Sequence, residues 1–248
     1  MLLLAACASV PPNAGNNPRD PFERVNRQVF AFNERFDRYF AKPLAQGYVA
    51  VVPAGIRLCI NSGFSNLLEV RNAVNDILQA KPVGAANDTG RLVINSTLGM
   101  LGCFDIASRM GLEWRGEDFG LTLARWGVGT GPFLILPVLG PSDVRDAIGL
   151  VPDTYLNPVS YVTPVKVRYI LTGVNLIDTR AQLLDATRLI DQAALDRYQF
   201  TRDAYFQRRR SKQYEGNPPP LEDDSGESGP EPATDKTQPV QPAPEDRR

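Results

Sequence analysis

Apolar residues recur every three or four positions through most of residues 20–214, yet nowhere do they run on for the roughly 20 that a membrane-crossing helix needs. Such a chain folds as packed amphipathic helices, so the expected class is all-α: one helical domain with a Gly-rich hairpin loop and disordered termini. In the first helix Asp20 is placed to cap, Pro21 fits the first turn, and Glu23 completes a capping-box-like pattern. Phe22, Val25, Val29, Phe32, Phe36 and Phe40 then form a stripe, and Lys42-Pro43 is expected to end the helix. A stripe so rich in Phe ordinarily packs into a core; its other use is a face that meets acyl chains. Asn26, Asn33 and Asp37 lie on a second face, with Phe30 between them. Exposed, they form a solvated flank; turned inward, each needs hydrogen-bond partners and makes a polar lining.

Further helices are expected over 65–79, 83–98, 163–184 (opened by Pro164) and 193–212, the last closing with Arg208-Arg209-Arg210. Cations in a last turn favour the helix dipole; lipid phosphates are their other use. Gly127, Gly129 and Gly131 do not belong in a helix interior. They read as a hairpin or loop with an apolar flank, followed by a helix that Ser142 caps. The greasiest stretches, 92–107 and 132–139, are interrupted by Asn95, Ser96, Asp105 and Pro137, and suit the plane of a membrane better than its thickness.

The N-terminus reads Met-Leu-Leu-Leu-Ala-Ala-Cys7. Its apolar run is short and lacks a basic flank, so residues 1–6 are expected to be a truncated lipoprotein signal. Leu4-Ala5-Ala6-Cys7 resembles a bacterial lipobox, in which the cysteine thiol receives a diacylglycerol; lipid on Cys7 is the one covalent group expected, with no other cofactor. Residues 7–19 form a tether rich in Pro, Asn and Gly, reaching on the order of 40 Å when extended. Residues 20–214 make up the helical domain. Residues 215–248 are acidic, Pro-rich and expected to be disordered. After Gly216 there are eight acidic and three basic side chains, so the tail carries −5 of a net charge of −1 and the rest is +4. A mildly basic body suits an anionic membrane surface and excludes nucleic acid as a partner.

There is no histidine, which removes the commonest general base and metal ligand and every hydrolase built on a histidine base. The three cysteines have no metal-ligand spacing, so no metal site is expected. Cys59 and Cys103 sit in apolar stretches and read as buried free thiols, with a disulfide as the alternative. Asp118-Phe-Gly120 matches a kinase tripeptide without the rest of that signature, and Pro132 breaks the dinucleotide-binding glycine pattern. Nucleotide binding is excluded.

One ordered set of segments carries a resemblance. It comprises Asp20-Pro-Phe-Glu-Arg-Val-Asn-Arg27, Phe32-Asn33, Lys42-Pro43, Asn66-Leu67 and Asn95-Ser-Thr-Leu-Gly99. Asp118-Phe-Gly120, Thr122-Leu123, Trp126-Gly-Val-Gly129, Gly131-Pro132, Leu139-Gly-Pro-Ser142 and Arg145-Asp146 follow. Thr179-Arg-Ala-Gln-Leu-Leu-Asp185 and Arg202-Asp-Ala-Tyr-Phe-Gln-Arg208 complete it. From about 19 to 208 the chain resembles the MlaA/VacJ lipoproteins of the Gram-negative outer membrane.

The resemblance implies a ring-like helical protein, lipid-anchored, facing the periplasm and embedded in the inner leaflet. It implies a non-enzymatic role, in which mislocalised membrane phospholipids pass through a central channel to the periplasmic carrier MlaC, beside a trimeric porin. Candidates for the channel lining are Asn26, Asn33, Asp37, Arg145 and Asp146; Gly127, Gly129 and Gly131 are candidates for a gate. The competing readings are a porin-associated scaffold and an anchored enzyme using carboxylates.

Overall fold

The computed structural model describes residue 11 and residues 14–219. The signal segment 1–6, the lipid-attachment candidate Cys7, tether residues 8–10, 12 and 13, and the tail beyond 219 lie outside the described residues. Among the described residues the fold is all-α with one two-stranded hairpin.

Helix α1 spans Glu23–Phe36, and its first turn corrects the expected cap. Phe22 occupies the cap position without a side-chain hydrogen bond, while Asp20 is fully buried and turned to other partners. Lys42-Pro43 does not end the helix either. One π turn, Asp37–Ala41, leads directly into α2, Lys42–Val51. Proline lacks an N–H, and its ring crowds the carbonyl four residues back. The wider turn accommodates it, with the Lys42 N–H reaching back five residues to the Asp37 carbonyl.

Helix α3 (Ala54–Leu78) starts well before the expected boundary and runs antiparallel to α4 (Pro82–Thr97). Short helices α5 (Ile106–Arg109) and α6 (Phe119–Arg125) are capped by Asp105 and Asp118. Strands β1 (Phe133–Leu136) and β2 (Gly140–Asp143) pair antiparallel, with Phe133 opposite Asp143 and Leu136 opposite Gly140. The hairpin therefore follows the glycine segment rather than containing it. Gly127 and Gly131 have φ of +90° and +72°, the left-handed region that favours glycine, whereas Gly129 does not need it. Helix α7 (Val144–Leu156) is capped by Asp143, whose carboxylate accepts the Asp146 N–H at 2.8 Å; Ser142, the expected cap, lies in β2. Helices α8 (Val165–Gln182), α9 (Leu184–Ala193) and α10 (Arg197–Gln213) follow, the last of the described helices. Cys59 and Cys103 form a disulfide, which corrects the free-thiol reading and ties α3 to the loop after α4.

The interior has unusual contents. Among the described residues, twelve apolar side chains are buried, half of them alanine, against twenty-one polar or charged ones. Conversely Phe22, Val25, Phe32 and Phe40 of the Phe stripe are exposed, so most of that stripe is not core; Val29 and Phe36 are half-buried, and Val29 packs against the cluster of Phe133, Ile135 and Tyr198. Val51, Val83 and Leu101, from three other parts of the chain, are each at least 80% exposed. No described helix is long and apolar enough to cross a membrane. Two small apolar clusters remain: Ala45, Ala181 and Leu184 between α2, α8 and α9, and Phe133, Ile135 and Tyr198 between the hairpin and α10.

Candidate functional site

The buried face of α1 holds the hairpin. Asn26 Nδ2 donates to the Phe133 carbonyl at 2.9 Å, and the Ile135 N–H donates to Asn26 Oδ1 at 3.0 Å. Two helical turns later, Asn33 Nδ2 donates to the Leu136 carbonyl at 2.9 Å, and the Val138 N–H donates to Asn33 Oδ1 at 2.8 Å. A primary amide presents the donor and acceptor of a peptide bond, so these two side chains close the free edge of β1 as a third strand would. Asn26 also donates to Asp20 Oδ1 at 3.0 Å, and Asp20 accepts Tyr198 OH at 2.6 Å and Arg202 at 3.3 Å. Asp20 thus joins the chain entry, α1 and α10.

The other candidates sit in ion pairs. Asp37 is bound bidentately by Arg180 of α8, at 2.5 and 2.8 Å. Arg145 is buried, with Nε donating to Asp146 at 3.2 Å. Asp146 also accepts Tyr205 OH at 2.6 Å and Arg209 Nη2 at 2.7 Å, and Arg209 binds Asp118 Oδ2 at 2.6 Å. Burial works against ionisation of Asp118, but the hydrogen bonds and charge of Arg209 outweigh it and hold the carboxyl below its usual range. Gly120 makes this junction possible: a Cβ there would lie 2.3 Å from Asp146 Oδ1 and 2.8 Å from Arg209 Nη2. The Asp118-Phe-Gly120 tripeptide is therefore a cap followed by a close approach of α6 to α7.

Three clefts follow one another through shared walls. The first, about 390 Å³, is bordered by Asn33, Asp37, Arg38, Lys42, Arg180 and Pro141 among others. The second, about 230 Å³, is bordered by Pro141, Arg71, Asp118, Asp146, Asp153 and Arg208, and also by Lys212. The third, about 460 Å³, is bordered by Lys212, Val83, Arg115, Glu117 and Glu215. Pro141 in the hairpin separates the first two, and Lys212 separates the second from the third. Asn33, Asp37 and Asp146 border this series. Asn26 and Arg145 lie inside the protein frame with their polar groups engaged, and Gly127, Gly129 and Gly131 border none of the three clefts.

Several functional-looking residues lack any helical-period signal. Arg71, Asp153 and Arg209 come together only through α3, α7 and α10. Arg209 is legible in the sequence only as one of three arginines suited to a helix end or to lipid phosphates. Behind the third cleft, Asp76 is fully buried, and neither carboxylate oxygen accepts a hydrogen bond from a described residue. Burial, then the charge of Glu117, raises its pKa to about 7. Gly84 leaves room for it, since a Cβ there would lie 2.2 Å from Asp76 Oδ2.

Comparison with known proteins agrees across this whole frame. A family model described as MlaA lipoprotein matches residues 18–212. An uncharacterised protein of Rickettsia bellii is 36% identical over 200 residues, covering 80% of this chain and 78% of its own. The Escherichia coli intermembrane phospholipid transport system lipoprotein MlaA is 35% identical over 212 residues, 83% of this chain and 82% of its own. A solved structure, described as the structural basis for maintenance of bacterial outer membrane lipid asymmetry, superposes with a TM-score of 0.68 at 35% identity. It covers 80% of this chain and 99% of the other. By its helices, its hairpin and the residues that join them, the chain belongs to the MlaA lipoprotein family.

Proposed function

We propose that this protein, anchored by lipid on Cys7, lies in the inner leaflet of the outer membrane and passes mislocalised phospholipids from the outer leaflet to a periplasmic carrier of the MlaC type. The headgroup travels along the polar clefts, which form parts of a central channel in a ring-like body, and the protein works beside a trimeric porin without catalysing a reaction. The names of the E. coli relative and of the solved structure support the substrate and the compartment.

The observation that carries the reading is the inverted polarity. Water favours buried apolar and exposed polar groups; here the balance is reversed on most helices. Hydrocarbon outside makes the exposed Phe, Leu and Val inexpensive and makes every polar group turn inward for partners. A phospholipid needs that same division, tails in hydrocarbon and headgroup among polar groups. Deleting the gene and labelling surface-exposed phospholipid tests it. Phospholipid accumulating in the outer leaflet is expected, and unchanged asymmetry would overturn the proposal.

A further inference from the structure

We propose that the second cleft, between α3, α7 and α10, binds the phosphate group of a phospholipid through Arg71 and Arg208, with Lys212 as a third cation. This rests on the lipid-passage reading and adds the group that is recognised. The cleft's acids are already occupied. Asp118 accepts from Arg209 at 2.6 and 3.0 Å and from the Leu121 N–H at 2.9 Å. Asp146 accepts from Tyr205 and Arg209, and Asp153 accepts the Phe119 N–H at 3.0 Å and Asn75 Nδ2 at 3.3 Å. Arg209 is spent on the first two acids.

Arg71 and Arg208 are in a different state. Neither closes a hydrogen bond or ion pair with a described residue, and Arg71 Nε is buried without an acceptor. Lys212 gives one hydrogen bond, to the Gly116 carbonyl at 2.6 Å, and keeps two further donors. Guanidinium groups left with open donors, beside acids already engaged by other donors, match the several anionic oxygens of a phosphate, which take paired N–H donors. A cleft of about 230 Å³ is small beside ordinary ligand pockets and suits a headgroup rather than acyl chains. Leu150 and Pro141 border the same space, and Val151, next along α7, is 61% exposed on the apolar perimeter. A lipid phosphate held here has hydrocarbon within reach for its tails, which favours a headgroup over a free phosphate ion.

The test is calorimetric titration of the purified full chain in detergent with dihexanoyl phosphatidylglycerol, with dihexanoylglycerol (which lacks the phosphate) and with inorganic phosphate. The wild type is expected to bind the phosphodiester. Arg71→Gln/Arg208→Gln should weaken binding by about tenfold or more, and Arg71→Lys/Arg208→Lys should recover part of the loss. Circular dichroism should be unchanged in both variants, because neither arginine closes a hydrogen bond or ion pair within the frame; Arg71 reaches Asp118 and Asp153 through its charge alone. Equal affinity in the wild type and the glutamine variant rejects the site while leaving lipid passage standing. Equal binding of dihexanoylglycerol rejects phosphate recognition. Displacement of the lipid by inorganic phosphate at equal concentration assigns the cleft to a free anion and overturns the headgroup. A wild type that binds no phospholipid overturns the passage reading as well.

Discussion

Neighbouring residues on α1 meet opposite surroundings: Val25 is 59% exposed and Asn26 2%. The contrast runs through the molecule as an interior and a perimeter. Inside, Glu69 of α3 is fully buried and meets Arg91 of α4 at 2.6 Å. Arg91 also donates to Ser108 at 2.9 Å and to the Leu112 carbonyl at 2.6 Å. Outside, Phe32, Phe36 and Phe40 stack along one another, with ring centroids 6.5 and 5.6 Å apart. In the hydrocarbon surroundings proposed above, apolar burial no longer drives helices together, so directional polar contacts carry more of the specificity. The difference teaches that shape resides in the polar interior, while the apolar perimeter selects the surroundings.

Breaking the interior should have the largest effect. Arg91→Ala leaves the Glu69 carboxylate buried without its counter-ion and should cost about 3–5 kcal/mol in denaturant unfolding. A loss below 1 kcal/mol would show that water reaches Glu69 and that the interior is not sealed. Asp76 tests the same region with the opposite sign. Its pKa is raised to about 7, against about 3.9 in an unfolded chain, so the native state holds a proton that the unfolded state releases. Stability should therefore fall as pH rises from about 4 to 7, and level off above that. Asp76→Asn, nearly isosteric and always neutral, should flatten that slope and gain up to about 4 kcal/mol at neutral pH; an unchanged pH profile would place the titration elsewhere.

The disulfide closes a separation of 44 residues, and removing it as Cys59→Ala/Cys103→Ala should lower stability by about 2–4 kcal/mol. Thermal melts with and without reductant should show the same loss in the wild type. The smallest change in stability belongs to the perimeter. Phe40→Ser and Val83→Ser should shift unfolding in detergent by no more than about 0.5 kcal/mol. The same variants should weaken partition into phospholipid vesicles by about 1.5–3 kcal/mol per side chain. Loss of folding with partition unchanged would reverse the roles given to the two regions.

Much of the helical plan was legible in the residues. Pro164 marks a helix start, and the apolar period carries α4 and α8 close to their observed limits. Pro43 misled because a single π turn absorbs a proline that would otherwise end a helix, and such a turn leaves no mark in hydrophobic period. Asp20 misled because a capping signature is local, whereas its partners Tyr198 and Arg202 stand 178 and 182 residues away. Cys59 and Cys103 gave no spacing signal, since their meeting depends on how α3 and α4 fold back.

The sequence by itself determined helical class, the division of α1 into a Phe stripe and an Asn face, the exclusion of histidine chemistry and the family pattern. All of these follow from residue type and short-range period. Only the tertiary structure decided which face turns inward. Period shows that two faces differ, but not which of them meets the surroundings; that depends on whether the polar face finds partners. Asn26 and Asn33 find them on the backbone of β1, more than 100 residues away, and Phe22, Phe32 and Phe40 are left facing out.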